Sequence, residues 1–267
     1  MYPRLFQIGP FTLFSFGLMV ILGFLAGVAL GARLCRERGM KGDALFDSAV
    51  VILIAGIAGA RLLFVALHWR EYSGHAFEIA ATWKGGMSFH GGVGAGILTG
   101  MLCMKRRRLP ALAMSDAAAP GLALGYAIGR IGCFLNGCCY GTPTAAPWGV
   151  HFPESGPGIH SHPTQIYGAA FNFALTAFLI WTYRRPYRIG QNLMLFITGY
   201  SVYRFLVEGL RSGVTAKVLA LGLTEAQWFS LFAVLAGGAA WVWLGRHSAP
   251  APPLVPVAPA EGKSGEE

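Results

Sequence analysis

Arg61, His90, Arg130, Arg204 and Glu208 each sit inside or at the end of a run otherwise apolar enough to cross a membrane. An arginine at the centre of a membrane helix is disfavoured by about 2.5–3.5 kcal/mol on insertion scales, so several on one chain point to a site that uses them. Cations kept at that depth suit an anionic group, and the commonest anion there is a lipid phosphate. In Gly199–Arg211 (GYSVYRFLVEGLR), Tyr200, Arg204 and Glu208 are spaced i, i+4 and i+8 and so share one helical face. Glu208 either forms a self-contained pair with Arg204 or also orients it towards a ligand, and both readings stay open.

His90 lies in Gly85–Gly96 (GGMSFHGGVGAG), where Gly91 and Gly92 beside it admit close approach by another group. It is a candidate general base, with a hydrogen-bonded structural histidine as the bland alternative. Gly129–Gly141 (GRIGCFLNGCCYG) carries Arg130, Asn136 and Tyr140 with three of the five cysteines. Cys133, Cys138 and Cys139 lack the paired Cys-x-x-Cys spacing of a zinc site, so no metal and no cofactor are expected. A disulfide within the segment stays open on an oxidising face, although adjacent Cys138 and Cys139 bond each other poorly, and small buried thiols are common filler.

The elements that must position these groups are membrane helices. The chain has 267 residues, 54% hydrophobic and only 12% charged, which excludes an ordinary soluble domain. Its net charge of +9 falls in short loops between apolar runs, so nucleic-acid binding is not expected. Runs of membrane length predict an all-α, polytopic transmembrane bundle of seven helices near 11–32, 45–68, 87–104, 111–134, 164–183, 190–209 and 225–245. The loops bearing Arg33, Arg36, Arg38 and Lys41, then Lys105–Arg108, then Arg184, Arg185 and Arg188, then Arg246, are the basic ones. By the positive-inside rule they and the C-terminus are cytoplasmic. The N-terminus and loops 69–86, 135–163 and 210–224 then face outward, with Trp69, Trp83 and Trp148 suited to the interface. The first run reads as a retained anchor rather than a cleavable signal peptide. Residues 1–247 read as one membrane domain, and the Pro- and Ala-rich segment 248–267 as a disordered cytoplasmic tail. Two stripes, Gly121/Gly125/Gly129 and Gly92/Gly96/Gly100, have the spacing that lets membrane helices approach closely.

Four separately placed motifs carry a resemblance: GGMSFHGG, GRIGCFLNG followed by YG, HPTQIYG (His162–Gly168) and YSVYRFLVE. In this order, from Ile8-Gly9-Pro10 to Glu208, they resemble the bacterial prolipoprotein diacylglyceryl transferases. The resemblance implies a seven-span inner-membrane enzyme whose site faces the periplasm, amid membrane lipids. Its donor would be phosphatidylglycerol and its acceptor the lipobox cysteine of a prolipoprotein signal peptide, giving a thioether and glycerol phosphate. His90 would be the family's essential histidine, Arg130 its signature arginine, and Arg204 its late-helix arginine flanked by Tyr200 and Glu208. Arg61 would contact a headgroup or snorkel to the interface. Gly91 and Gly92 would border the donor, and Asn136 would help where the family pattern is broken. His162 and Gln165 would order the outer loop. The pattern is broken at Cys133, where the family usually has Asn, at Cys138, where it has Glu, and at Phe16, where it has Tyr.

A thiol with a pKa near 8.5 needs its thiolate fraction raised, which His90 could do, and the departing phosphate monoester needs the bidentate fork of Arg130 and Arg204. Two rivals stay open: a small multi-pass transporter, against which no internal repeat is visible, and a non-catalytic lipid-binding paralogue, which the Asn and Glu losses keep alive.

Overall fold

The computed structural model of the chain describes residues 1–8, 11–74, 76–82, 85–211 and 218–255. A helix forms at each of the seven expected places: α1 (Ser15–Glu37), α2 (Gly42–Leu67), α5 (Phe89–Arg106), α6 (Ala111–Asn136), α7 (Thr164–Tyr183), α8 (Gln191–Glu208) and α9 (Glu225–His247). Two short helices, α3 (Trp69–Tyr72) and α4 (Ala76–Ala80), lie in the loop before α5. Five of the seven, α1, α2, α6, α7 and α9, are long and apolar enough to cross a membrane. The other two, α5 and α8, have 18 residues each and dilute their apolar content with glycine and with His90, Tyr200, Arg204 and Glu208.

The first apolar run differs from expectation. Residues 11–14 are not helical: β2 (Phe11–Phe14) pairs antiparallel with β1 (Arg4–Ile8), with Gln7 opposite Thr12 and an irregularity between Arg4 and Phe6. Both segments are rich in aromatic or branched residues and flank a Gly-Pro turn signal, a strand pattern that simple hydropathy merges into the helix. Gly9, Pro10 and Trp83 themselves lie outside the described residues. A second two-stranded ladder, β3 (Val150–His151) with β4 (His160–Ser161), closes the loop between α6 and α7.

The chain divides into two compact units, residues 1–40 with 115–267, and residues 41–114. In the first, the backbones of α1 and α6 touch through glycine. A Cβ built on Gly27 would stand 2.5 Å from the Gly121 carbonyl oxygen, and one on Gly23 2.7 Å from that of Gly125. Gly129, the third of that stripe, meets nothing within 4 Å. Ala123, Leu175 and Leu179 form a buried cluster under Phe171, Leu195, Phe196 and Tyr200, which joins α6 to α7 and α8. In the second unit, α2 packs on α5 in the same manner. Gly59 lies against the Gly91 carbonyl, Gly92 against Gly56, and Gly96 and Gly100 against Ile52.

Residues 248–255, the start of the expected disordered tail, are tied down. Ile189 N–H donates to Ala249 O, Ala251 N–H to Tyr187 O and Val255 N–H to Glu37 O at 2.8–3.0 Å. The buried Arg38 guanidinium lies 4.8 Å from the ring centres of both Tyr183 and Tyr187 and donates to the carbonyls of Tyr183, Arg185 and Pro252. Residues 256–267 lie outside the described residues.

Candidate active site

Three helices of the first unit deliver the polar groups. The N-cap of α8 is Gly190, which has no side chain to cap with, and the cap comes instead from α6. The fully buried Asp116 accepts the N–H groups of Gly190 and Leu193, while its own carbonyl accepts from Asn192 Nδ2. A carboxylate at a helix N-terminus satisfies orphan donors and opposes the positive end of the dipole. The register of α8 is thereby fixed on α6, with Tyr200, Arg204 and Glu208 on one face as the spacing requires.

Arg204 Nη1 is ion-paired with Glu208 Oε2. Glu208, 3% exposed, also accepts a long 3.5 Å bond from Thr224 Oγ1, the N-cap of α9. Glu208 is thus held by two helices, and Arg204 spends one nitrogen on it. No other hydrogen bond of Arg204 occurs among the described residues, which leaves most of its fork available.

Arg130, two turns before the end of α6, is 7% exposed. Its Nε is buried and has no hydrogen-bond partner among the described residues. Within its electrostatic reach are Tyr126, Tyr203, Cys133 and Cys139, none of which supplies a carboxylate. The rings of Tyr126, Tyr200 and Tyr203 stand 5.2–6.2 Å apart beside it. Gly168, the last residue of HPTQIYG, faces this cluster: a Cβ there would lie 3.0 Å from Arg130 Nε and would run into the Tyr203 hydroxyl. A buried guanidinium without a counter-charge is costly, and the geometry that relieves it is an anion with paired oxygens.

The outer loop is built on the same motif. Fully buried Thr164 and Gln165 donate to the carbonyls of Cys139 and Cys138 at 2.8 and 2.7 Å. His162 pairs through its backbone with Gly141 and Thr142, and its Nδ1 meets the Tyr167 hydroxyl at 3.2 Å. Phe152, fully buried, stacks on Tyr140 at 4.6 Å and closes a small core. Asn136 ends α6, half-buried, and its side chain makes no hydrogen bond among the described residues. Arg211, just past α8, pairs with Gly141 in an isolated bridge and buries an unpartnered Nε.

The second unit carries Arg61 and His90. Arg61, 3% exposed, donates from Nε to Ile79 O at 2.9 Å, from Nη1 to Gly85 O and Gly86 O at 2.6 and 2.9 Å, and from Nη2 to Glu78 O at 2.5 Å. Four of its five donors are taken by loop backbone, so the arginine neither snorkels nor presents an open fork. With Ser88 N–H on Ala60 O at 2.9 Å, it holds the entry to α5. His90 follows in the first turn, exposed, its ring 5.8 Å from that of Phe89. The close approach that Gly91 and Gly92 permit is made by α2.

Arg130, buried, and Arg204, half-buried, thus stand on two helices of one unit, with an aromatic cluster and Gly168 beside Arg130. The family model described as prolipoprotein diacylglyceryl transferase covers residues 3–243. The chain belongs to the prolipoprotein diacylglyceryl transferase family. Among its relatives are proteins named phosphatidylglycerol–prolipoprotein diacylglyceryl transferase. That of Synechococcus elongatus is 35% identical over 254 residues, covering 91% of this chain and 87% of the relative. That of Clostridium tetani is 36% identical over 240 residues, 89% and 95%, and that of Bordetella bronchiseptica 36% over 254 residues, 91% and 95%. Membership in this transferase family does not favour the transporter or scaffold readings. Tyr126, Tyr203, Gly168 and Asp116 are the site residues that sequence reasoning missed. Only Asp116 carried a usable signal, as a lone carboxylate in an apolar run.

Proposed function

We propose that the protein transfers the diacylglyceryl group of phosphatidylglycerol to the thiol of the lipobox cysteine of prolipoproteins, with release of glycerol phosphate. The observation that carries this reading is Arg130: 7% exposed, its buried Nε unpartnered, and framed by tyrosines. In this reading Arg130 and Arg204 hold the phosphate, Glu208 keeps Arg204 aimed, and Tyr200 shapes the pocket, with Asn136 at its rim. The acceptor sulfur forms its bond to the glyceryl carbon that bears the phosphate, and that carbon–oxygen bond breaks, leaving a phosphate monoester. Negative charge grows on the departing oxygens, where preorganised guanidinium forks act most strongly. His90 takes the thiol proton as the general base. Arg61 acts as a positioning residue for the loop that leads to His90, not as a headgroup ligand.

The setting follows from the substrates. All seven long helices would lie in the bacterial inner membrane, with the N-terminus and the site towards the periplasm and the C-terminus in the cytoplasm, as loop charge requires. The test is transfer of labelled diacylglyceryl from phosphatidylglycerol to a lipobox peptide by purified protein. Transfer is expected to need Arg204, His90 and the peptide thiol. Undiminished transfer to a Cys→Ser peptide, or none from a demonstrably folded sample, overturns the reading.

A further inference from the structure

Cys133, Cys138 and Cys139 do not read as a metal site in sequence, yet the fold gathers them. Their three sulfur atoms all lie within 4.8 Å of one another, and the Cys138 thiol donates to the Cys133 carbonyl at 3.8 Å. None is in a disulfide. The arrangement is made by a turn that costs energy. After α6 ends, Gly137 takes φ 78° and Cys138 N–H bonds back to Cys133 O at 3.2 Å; Cys139 then adopts φ 65°, a left-handed conformation rare for a side chain of this kind. Such strain persists only where surroundings over-determine it. Here Thr164 and Gln165, both fully buried, grip the carbonyls of Cys139 and Cys138 and so hold the sulfurs towards one point.

Thiols used as filler look different. Cys35 is wholly buried inside α1, whereas Cys139 is exposed and Cys133 and Cys138 are half-buried. With metal–sulfur bonds of about 2.3 Å, three sulfurs around one ion stand roughly 4 Å apart, so the thiols need move by less than about 1 Å.

We propose that Cys133, Cys138 and Cys139 form a binding site for one thiophilic d10 cation, Zn2+ or Cu+. The three sulfurs, with no carboxylate or imidazole in the group, select a soft ion over Mg2+ or Ca2+. Each coordinating thiol gives its proton to solvent, so binding weakens as pH falls. A further coordination position, on the exposed side of Cys139, is left for water or an added thiol. The inference does not depend on the transfer reaction.

The test uses the full-length protein in detergent, reduced and then freed of reductant. It is titrated with Zn2+, and anaerobically with Cu+. Metal retained per chain is measured by elemental mass spectrometry, and thiol protection by alkylation and peptide mapping. One ion per chain and protection of these three cysteines together are expected, and the tighter of the two ions identifies the occupant. Cys138→Ser and Cys139→Ser should each weaken binding by more than about 100-fold, the upper end of what losing a mere supporting residue costs. Cys103→Ser, in the other unit, should leave it unchanged. No retained ion in wild-type protein, equal retention by the serine variants, or a disulfide among the three cysteines in freshly isolated protein would each overturn the proposal. The alkylation result on wild-type protein stands even if a variant misfolds.

Discussion

The carboxylate of Asp116 in α6 accepts the N–H of Gly190 at 2.5 Å, so the helix that carries Arg204 and Glu208 is capped by the helix that carries Arg130. A second bond, from Leu193 N–H at 2.8 Å, makes the cap bidentate.

Asp116→Ala should therefore lower stability by about 1–3 kcal/mol, the cost of leaving buried backbone donors unmade. Asp116→Asn, which keeps one acceptor oxygen, should lose less. Thermal unfolding in detergent reads this directly, and an unchanged midpoint for the alanine variant would contradict the capping role.

Glu208→Gln keeps shape and removes charge. Breaking one partner of a buried pair costs about 3–5 kcal/mol, part of which should appear as misdirected Arg204. The expected result is a fall in transfer rate of at least about tenfold, with Arg204→Lys losing most activity because a point charge replaces the fork. Near-normal turnover by the lysine variant would count against phosphate binding there.

Gly168→Ala places a methyl 3.0 Å from Arg130 Nε and against the Tyr203 hydroxyl. Since a misplacement of 1 Å can cost ~100-fold in rate, transfer should drop by about tenfold or more while the helices stay folded. Circular dichroism alongside the assay separates this from unfolding.

Arg61→Ala should loosen residues 78–82 and 85–88, because its donors end on Ile79, Gly85, Gly86 and Glu78. Hydrogen exchange should rise at Gly85–Ser88. If exchange there is unchanged while phosphatidylglycerol affinity falls, Arg61 is a headgroup ligand and the positioning role is wrong.

Helix positions were legible because length and apolarity decide them, and the Arg204–Glu208 pair was legible because i, i+4 spacing does. What stayed hidden depends on contacts between distant segments. The β2 strand is as apolar as the helix it precedes, so hydropathy alone ran the helix back to residue 11. Tyr126 and Tyr203 look like filler until their rings meet beside Arg130, and Arg61 looks like a ligand-binding cation until loop carbonyls surround it. The cysteines show no metal spacing because a left-handed turn, not a sequence interval, brings them together.

The strap formed by residues 249–255 fastens onto Glu37 and onto Tyr187 and Ile189, and it supplies the Pro252 acceptor of Arg38. It is translated after every described helix. Those bonds are thus latched by a segment that leaves the ribosome after every described helix, and Arg38 waits for its Pro252 acceptor until those helices have been made.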